Sequence, residues 1–171
     1  MSTLITAPVF DLRNSSSRSE LALWRKQMKG AGKTLVFTNG VFDILHAGHA
    51  TYLLGARNLG DALIIGLNSD ASVRRIKGEK RPIVGEADRA LMLTSLKSTD
   101  AVVIFDEDTP LELITFVIPD VLIKGADYLI ENIVGREVVE ASGGKVLTLE
   151  LVKGRSTTNV VETILNRYSE M

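Results

Sequence analysis

A chain of 171 residues with a net charge of −1 and 45% hydrophobic side chains has the size and apolar content for one globular domain with a sizeable core. Its near-neutral balance excludes a protein whose main task is coating nucleic acid or an anionic membrane, while leaving room for a local basic cluster that serves a small anion. With no cysteine in the sequence, disulfides, zinc-thiolate sites and cysteine nucleophiles are excluded together.

No stretch approaches the roughly 18 consecutive apolar residues of a membrane span, and residues 1–14 lack a signal-peptide pattern. The expected location is cytoplasmic, with neither nucleic acid nor membrane as partner. Residues 1–16 read as an N-terminal arm and 17–171 as a single domain; within the arm, Val9 and Phe10 are candidates for packing on a neighbouring subunit. Ser17 and Glu20 have the spacing of a capping box, which predicts a helix from 17 with Leu21, Trp24 and Met28 on one face and Gly30 and Gly32 as stops.

From 34 onward, short β-branched apolar runs alternate with longer segments of helical period. Strands are predicted at 34–38, 62–67, 101–105, 121–124 and 145–149. Helices are predicted near 48–59, 86–96, 110–118, 132–142 and 158–168, the last with Val161, Ile164, Leu165 and Tyr168 on one stripe. The pattern is that of an α/β doubly wound fold around a five-stranded parallel sheet. In such folds the functional loops gather at the carboxyl ends of the strands.

The loop after the first of these strands is the most informative. Asn39-Gly40-Val41-Phe42-Asp43-Ile44-Leu45-His46-Ala47-Gly48-His49 holds both histidines of the chain, one helical turn apart and therefore on one helix face. They follow a strand and open a helix, whose N-terminus offers free N–H groups and a partial positive charge. That combination suits phosphate. Gly48 between them allows close backbone approach, as does Asn39-Gly40 at the strand end. Structural histidines and a metal chelate are the alternatives. The zinc-protease spacing with its glutamate is missing and no cysteine can complete a site, so no protein-held metal is expected. Asp43, so close to a phosphate site, could act through magnesium.

A basic segment, Arg74-Arg75-Ile76-Lys77-Gly78-Glu79-Lys80-Arg81-Pro82, follows a short polar helix. Charge runs are commonly solvated faces, but a reaction that joins a triphosphate to a phosphorylated partner needs cations to neutralise the assembled charge. Lys77, Lys80 and Arg81 are the candidates. Other strand-end loops carry Asn68-Ser69-Asp70, Lys124-Gly125-Ala126-Asp127-Tyr128 and Arg155-Ser156-Thr157-Thr158-Asn159. Each has a plain reading as turn or N-cap chemistry.

Segment 40–49 resembles the signature of the nucleotidyltransferase superfamily that carries His-x-Gly-His, in its cytidylyltransferase-like branch, and the resemblance runs from about 33 to 168. It implies that His46 and His49 hold the phosphates of a nucleoside triphosphate and stabilise charge as the α-phosphorus is attacked, with Lys80 as a third catalytic group. It further implies that Asn39, Gly40, Phe42, Gly48, Lys77 and Arg81 line the triphosphate site. Ser156, Thr157 and Thr158 would grip the β- and γ-phosphates, and Gly125 and Asp127 would receive base and ribose. Asp43, Asn68, Asp70 and Arg89 fall where such enzymes approach the acceptor.

Runs at 37–40, 67–70, 76–82, 107–110, 121–128 and 156–159 look most like the adenylyltransferases that convert D-glycero-β-D-manno-heptose 1-phosphate into ADP-heptose for lipopolysaccharide. Val41 departs from that pattern, standing where many such sequences carry cysteine. The module is fused behind a sugar-kinase domain in many bacteria, and the length here predicts the free-standing form. The resemblance implies ATP with Mg2+, a sugar 1-phosphate acceptor and a homo-oligomer. It leaves open a cytidylyltransferase for glycerol 3-phosphate or a related alcohol phosphate, and a regulatory subunit that binds nucleotide without turnover. A phosphate monoester has a second pKa of about 6 and is largely dianionic near neutrality, so it can attack without a general base, and catalysis reduces to positioning and charge stabilisation.

Overall fold

The computed structural model describes residues 6–169. Its sheet has six parallel strands in the order β1-β4-β3-β2-β5-β6, formed by Val9–Asp11, Leu35–Gly40, Ala62–Asn68, Ala101–Phe105, Val121–Gly125 and Lys145–Leu149 numbered along the chain. The expected count of five is corrected by β1. Val9, Phe10 and Asp11 pair in parallel with Val102, Val103 and Ile104 of β4. Phe10 is buried in the chain's own core against Trp24.

Helix α1 (Ser15–Gly30) starts before the expected capping box, because Asn14 caps it by accepting from the amides of Ser16 and Ser17. The Ser17 hydroxyl instead accepts from the Asp11 amide at 2.7 Å, tying strand to helix. The remaining helices are α2 (Ala47–Arg57), α3 (Asp70–Lys77), α4 (Glu86–Thr94), α5 (Leu111–Val117), α6 (Arg136–Ala141) and α7 (Thr157–Tyr168), with a 3-10 turn at Ile130–Asn132. The helix expected over 132–142 is therefore shorter. It is broken at Gly135, which sits at φ 86° against Ile114, where a Cβ would clash.

Alternation along the strands sends two sets of side chains to two cores. Leu35, Phe37 and Leu122 join Leu21 of α1, Leu113 and Ile114 of α5 and Val139 of α6 on one face. Val36, Ile65 and Ile123 join Leu53 of α2 and Leu93 of α4 on the other. Burial of each such side chain is worth about 1.5–3 kcal/mol. Helix α7 stays outside both cores, its expected stripe leaving Ile164, Leu165 and Tyr168 at 49%, 58% and 63% exposure. No helix among the described residues is long and apolar enough to cross a membrane.

From β2 the chain winds outward through β3 and β4, then returns to β5 on the other side of β2. The switch point therefore falls between the carboxyl ends of β2 and β5, where open α/β sheets bind ligands.

Candidate active site

At that switch point lies a cleft of about 660 Å³, within the usual range for small-molecule sites. One wall is the loop from β2 to α2. Phe42 and Ile44 have φ of 49° and 50°, a left-handed conformation that costs non-glycine residues about 1–3 kcal/mol each. Asp43 between them holds the loop in place. One carboxylate oxygen accepts from Arg81 Nε at 2.6 Å and the Ile83 amide at 2.9 Å, and the other accepts from the Val84 amide at 2.9 Å. Its carbonyl accepts from the Thr157 hydroxyl at 2.6 Å. Burial would raise the Asp43 carboxyl, but these two amides and the guanidinium hold it below the usual carboxylate range.

His46 is the N-cap of α2, its Nδ1 accepting from the His49 amide at 3.4 Å. The proton of the neutral ring therefore belongs on Nε2, a buried atom with no hydrogen-bond partner among the described residues. His49 Nδ1 is likewise buried and unpartnered. The rings stack with centroids 3.8 Å apart and planes 18° from parallel, and Phe42 meets His49 edge-on at 5.3 Å. Burial, then the neighbouring His46, pushes His49 down to about 4 against the pull of Asp43. Burial and the Arg155 cation lower His46 as well. Both rings are thus neutral hydrogen-bonding groups near pH 7.

A Cβ on Gly48 would lie 2.9 Å from Arg155 Cβ and 3.0 Å from the His46 ring. The missing side chain is what lets the start of α2 abut the start of α7. There, Ser156 caps α7 by accepting from the Asn159 amide at 3.1 Å. With the Thr157 hydroxyl donated to Asp43, the plain N-cap reading holds for Ser156, and Thr158 is the member of the cluster whose hydroxyl stays available on the cleft. The amides of Ala47 and Gly48 on one helix and of Thr157 and Thr158 on the other precede the first intrahelical bonds. Two helix N-termini and two unpartnered imidazole nitrogens in one cleft form a receptor for a polyanion.

Asn39, Gly40, Phe42, Asn68, Lys77, Arg81, Gly125 and Asp127 also line the cleft. Three predicted site residues do not. Lys80 is exposed outside the lining. Arg89 is 1% exposed and spends its guanidinium on the carbonyls of Val84, Val41 and Asn68 and on Asp70. Asp70, held by that arginine at 2.7 Å, is outside the cleft lining. Asp43 lines the cleft with both carboxylate oxygens engaged within the protein. Among the described residues, no group of three or more His, Asp or Glu converges as a metal cage.

Sequence reasoning missed Tyr52, Lys124 and Arg155, which all line the cleft. Tyr52 shares a 2.8 Å hydrogen bond with Thr38, and burial raises its phenol to about 12. Its place one helical turn beyond His49 was a usable signal. So was the single charge of Lys124 within an apolar strand.

Residues 37–163 match the model of the cytidylyltransferase-like family. The chain belongs to that family. As a cytidylyltransferase-like protein it is a nucleotidyltransferase, in keeping with the polyanion receptor at the switch point. It is similar to the bifunctional protein HldE of Pelobacter propionicus, 58% identical over 153 residues, which make 90% of this chain and 31% of that protein. The HldE protein of Geobacter sulfurreducens is 58% identical over 142 residues, 83% of this chain and 29% of that one. The chain thus spans under a third of the length of these relatives. Among solved structures, the lipopolysaccharide core biosynthesis protein of Thermoplasma volcanium matches at 29% identity with a TM-score of 0.60, covering 72% of this chain and all of that one.

Proposed function

We propose that this chain transfers AMP from ATP to D-glycero-β-D-manno-heptose 1-phosphate, giving ADP-heptose and pyrophosphate for a heptose-containing surface polysaccharide. The observation that carries the nucleotidyl-transfer part is the pair of unpartnered nitrogens, His46 Nε2 and His49 Nδ1, beside the facing N-termini of α2 and α7. The identity of base and sugar is supported by the HldE relatives, by the neighbouring structure of a lipopolysaccharide core biosynthesis protein and by the resemblance of the strand-end loops.

In this reading the triphosphate lies across the two helix starts. The neutral imidazoles donate to its oxygens, most strongly as charge moves from the α-phosphorus to the departing pyrophosphate. Arg155, Lys77 and the free part of Arg81 supply positive charge. Asp127 receives the ribose, and the bare backbone at Gly125 receives the base. Mg2+ brought in with ATP would supply charge neutralisation at the triphosphate, beside Arg155, Lys77 and Arg81. The acceptor phosphate attacks as its own nucleophile, so no side chain has to carry a covalent intermediate.

The test is pyrophosphate release with Mg2+, each nucleoside triphosphate and a panel of phosphorylated acceptors. ATP with heptose 1-phosphate is the expected productive pair. Release from CTP and glycerol 3-phosphate instead would replace this reading with its cytidylyltransferase rival, and release from no pair would favour a regulatory subunit.

A further inference from the structure

The histidine cradle occupies one face of the sheet, and the cleft continues onto the other. Along β2, Leu35 and Phe37 point to the core under α1, α5 and α6, while Val36 points to that under α2 and α4. Thr38 meets Tyr52 of α2. Asn39 therefore turns to the α5 face, where a Cβ on Gly66 would meet Asn39 Cβ, Leu113 and Phe37 at 3.0 Å each. Lys124 has the parity of Leu122 on β5 and faces the same way. The two residues thus meet at the switch point, across the sheet from His46 and His49. Thr109, before α5, and Asn132 extend that half of the cleft.

Polar groups here are underused. Asn39 Oδ1 is buried without a hydrogen-bond partner. Lys124 Nζ donates to the Asn39 carbonyl at 3.3 Å and stands 5.4 Å from the centroid of the Tyr128 ring, although an ammonium carries three donors. Burial pushes this amine down to about 8, with Asp127 opposing. A buried acceptor left unpaired keeps the full cost of its desolvation. A ligand that brings both hydroxyls and acceptor oxygens relieves that cost, and an apolar one does not.

We propose that Asn39, which the resemblance assigned to the triphosphate but which faces the α5 side, pairs instead with Lys124 in acceptor recognition, Asn39 accepting from a hydroxyl and Lys124 donating to an oxygen of a phosphorylated, polyhydroxylated acceptor. This rests on the nucleotidyl-transfer reading and divides the cleft, with nucleotide phosphates on the α2 and α7 side and the polyol on the α5 side. Lys124 is a buried amine set into the floor between the two halves, separate from Arg155, Lys77 and Arg81, which serve the phosphate side. The pair also provides selectivity, since an acceptor without the hydroxyl leaves Asn39 unpaired, the situation in which polar sites discriminate most strongly.

The test compares Lys124→Met, Lys124→Arg and Asn39→Ala with the wild type. Steady-state kinetics give separate KM values for ATP and acceptor. Calorimetry gives the affinity of a non-hydrolysable ATP analogue, and of a sugar 1-phosphate in its presence. The expected result in Lys124→Met and Asn39→Ala is a rise of about tenfold or more in acceptor KM and Kd, the loss of one net hydrogen bond. Affinity for the ATP analogue is unchanged, and Lys124→Arg recovers part of the loss. The Asn39 side chain makes no hydrogen bond among the described residues, so its truncation tests the idea even where Lys124→Met fails to fold. Unchanged acceptor binding, a parallel weakening of the ATP analogue, or a wild type that binds no sugar 1-phosphate overturns the assignment. Failure of the underlying reading looks different: both ligands bind, and no pyrophosphate is released.

Discussion

A histidine's usefulness here depends on being neutral. His49 is pushed to about 4, so its ring should show no ionisation near the ordinary value of about 6.5. Following its Cε1 proton by NMR from pH 8 to pH 3.5 should reveal a midpoint near 4 in the free protein; a midpoint above 6 would remove the argument for a neutral donor. The linkage has a definite sign. Between about pH 6.5 and the folded value, the unfolded chain binds more protons, so His49 lowers stability as pH falls through that window. His46→Ala and His49→Ala should each lower kcat by about 10²–10³, or 2.7–4 kcal/mol per lost donor, with the circular dichroism unchanged. Near-wild-type turnover in either would take that ring out of the mechanism. Spacing after a strand pointed the pair to a phosphate site with structural and metal alternatives open, and its part in nucleotidyl transfer came from the resemblance. Arg89 was placed near the acceptor by resemblance, although its position along the helix already bears on its direction. Four residues before buried Leu93 and one before Ala90, it lies on the inward face of α4, which that spacing already implies.

Elements act here through their ends. The starts of α2 and α7 approach closely because Gly48 lacks a side chain, and Gly48→Ala sets two effects against each other. Alanine favours helix over glycine by about 0.8–1 kcal/mol, yet its Cβ would sit 2.9 Å from Arg155 Cβ, too near the backbone for the arginine simply to swing away. The expected outcome is an enzyme of nearly unchanged Tm whose ATP KM rises, measured by thermal denaturation and initial rates. Central strands were readable as continuous apolar runs because both their faces are buried. Three-residue β1 was not, since Val9, Phe10 and Asp11 carry too short a pattern to show a period and take their place from pairing with β4. The start of α1 was misjudged for a related reason. Asn14 and Ser17 are both good caps, and the choice between them is made by the Asp11 amide, which claims the Ser17 hydroxyl.

For the whole molecule, Arg89 is the residue that joins separate parts. It binds carbonyls at the ends of β2 and β3 and in the turn before α4, so the expected loss in Arg89→Met is about 3–5 kcal/mol of stability, from three stranded carbonyls and the abandoned Asp70 carboxylate. A fall in the urea midpoint at constant m would register it. Asp43 makes a comparable junction, binding the segment 81–84 by its side chain and α7 by its carbonyl. Because Asp43 ties these segments together in the protein itself, much of the ordering that a nucleotide would otherwise impose is already complete when the chain folds. Binding and folding then draw on the same contacts. A nucleotide at 100 times its Kd should add about 2.7 kcal/mol to unfolding, and a substitution that loosens the Asp43 junction should weaken binding while the protein is still fully folded. Thermal shift by nucleotide is therefore a gauge of how intact that junction is.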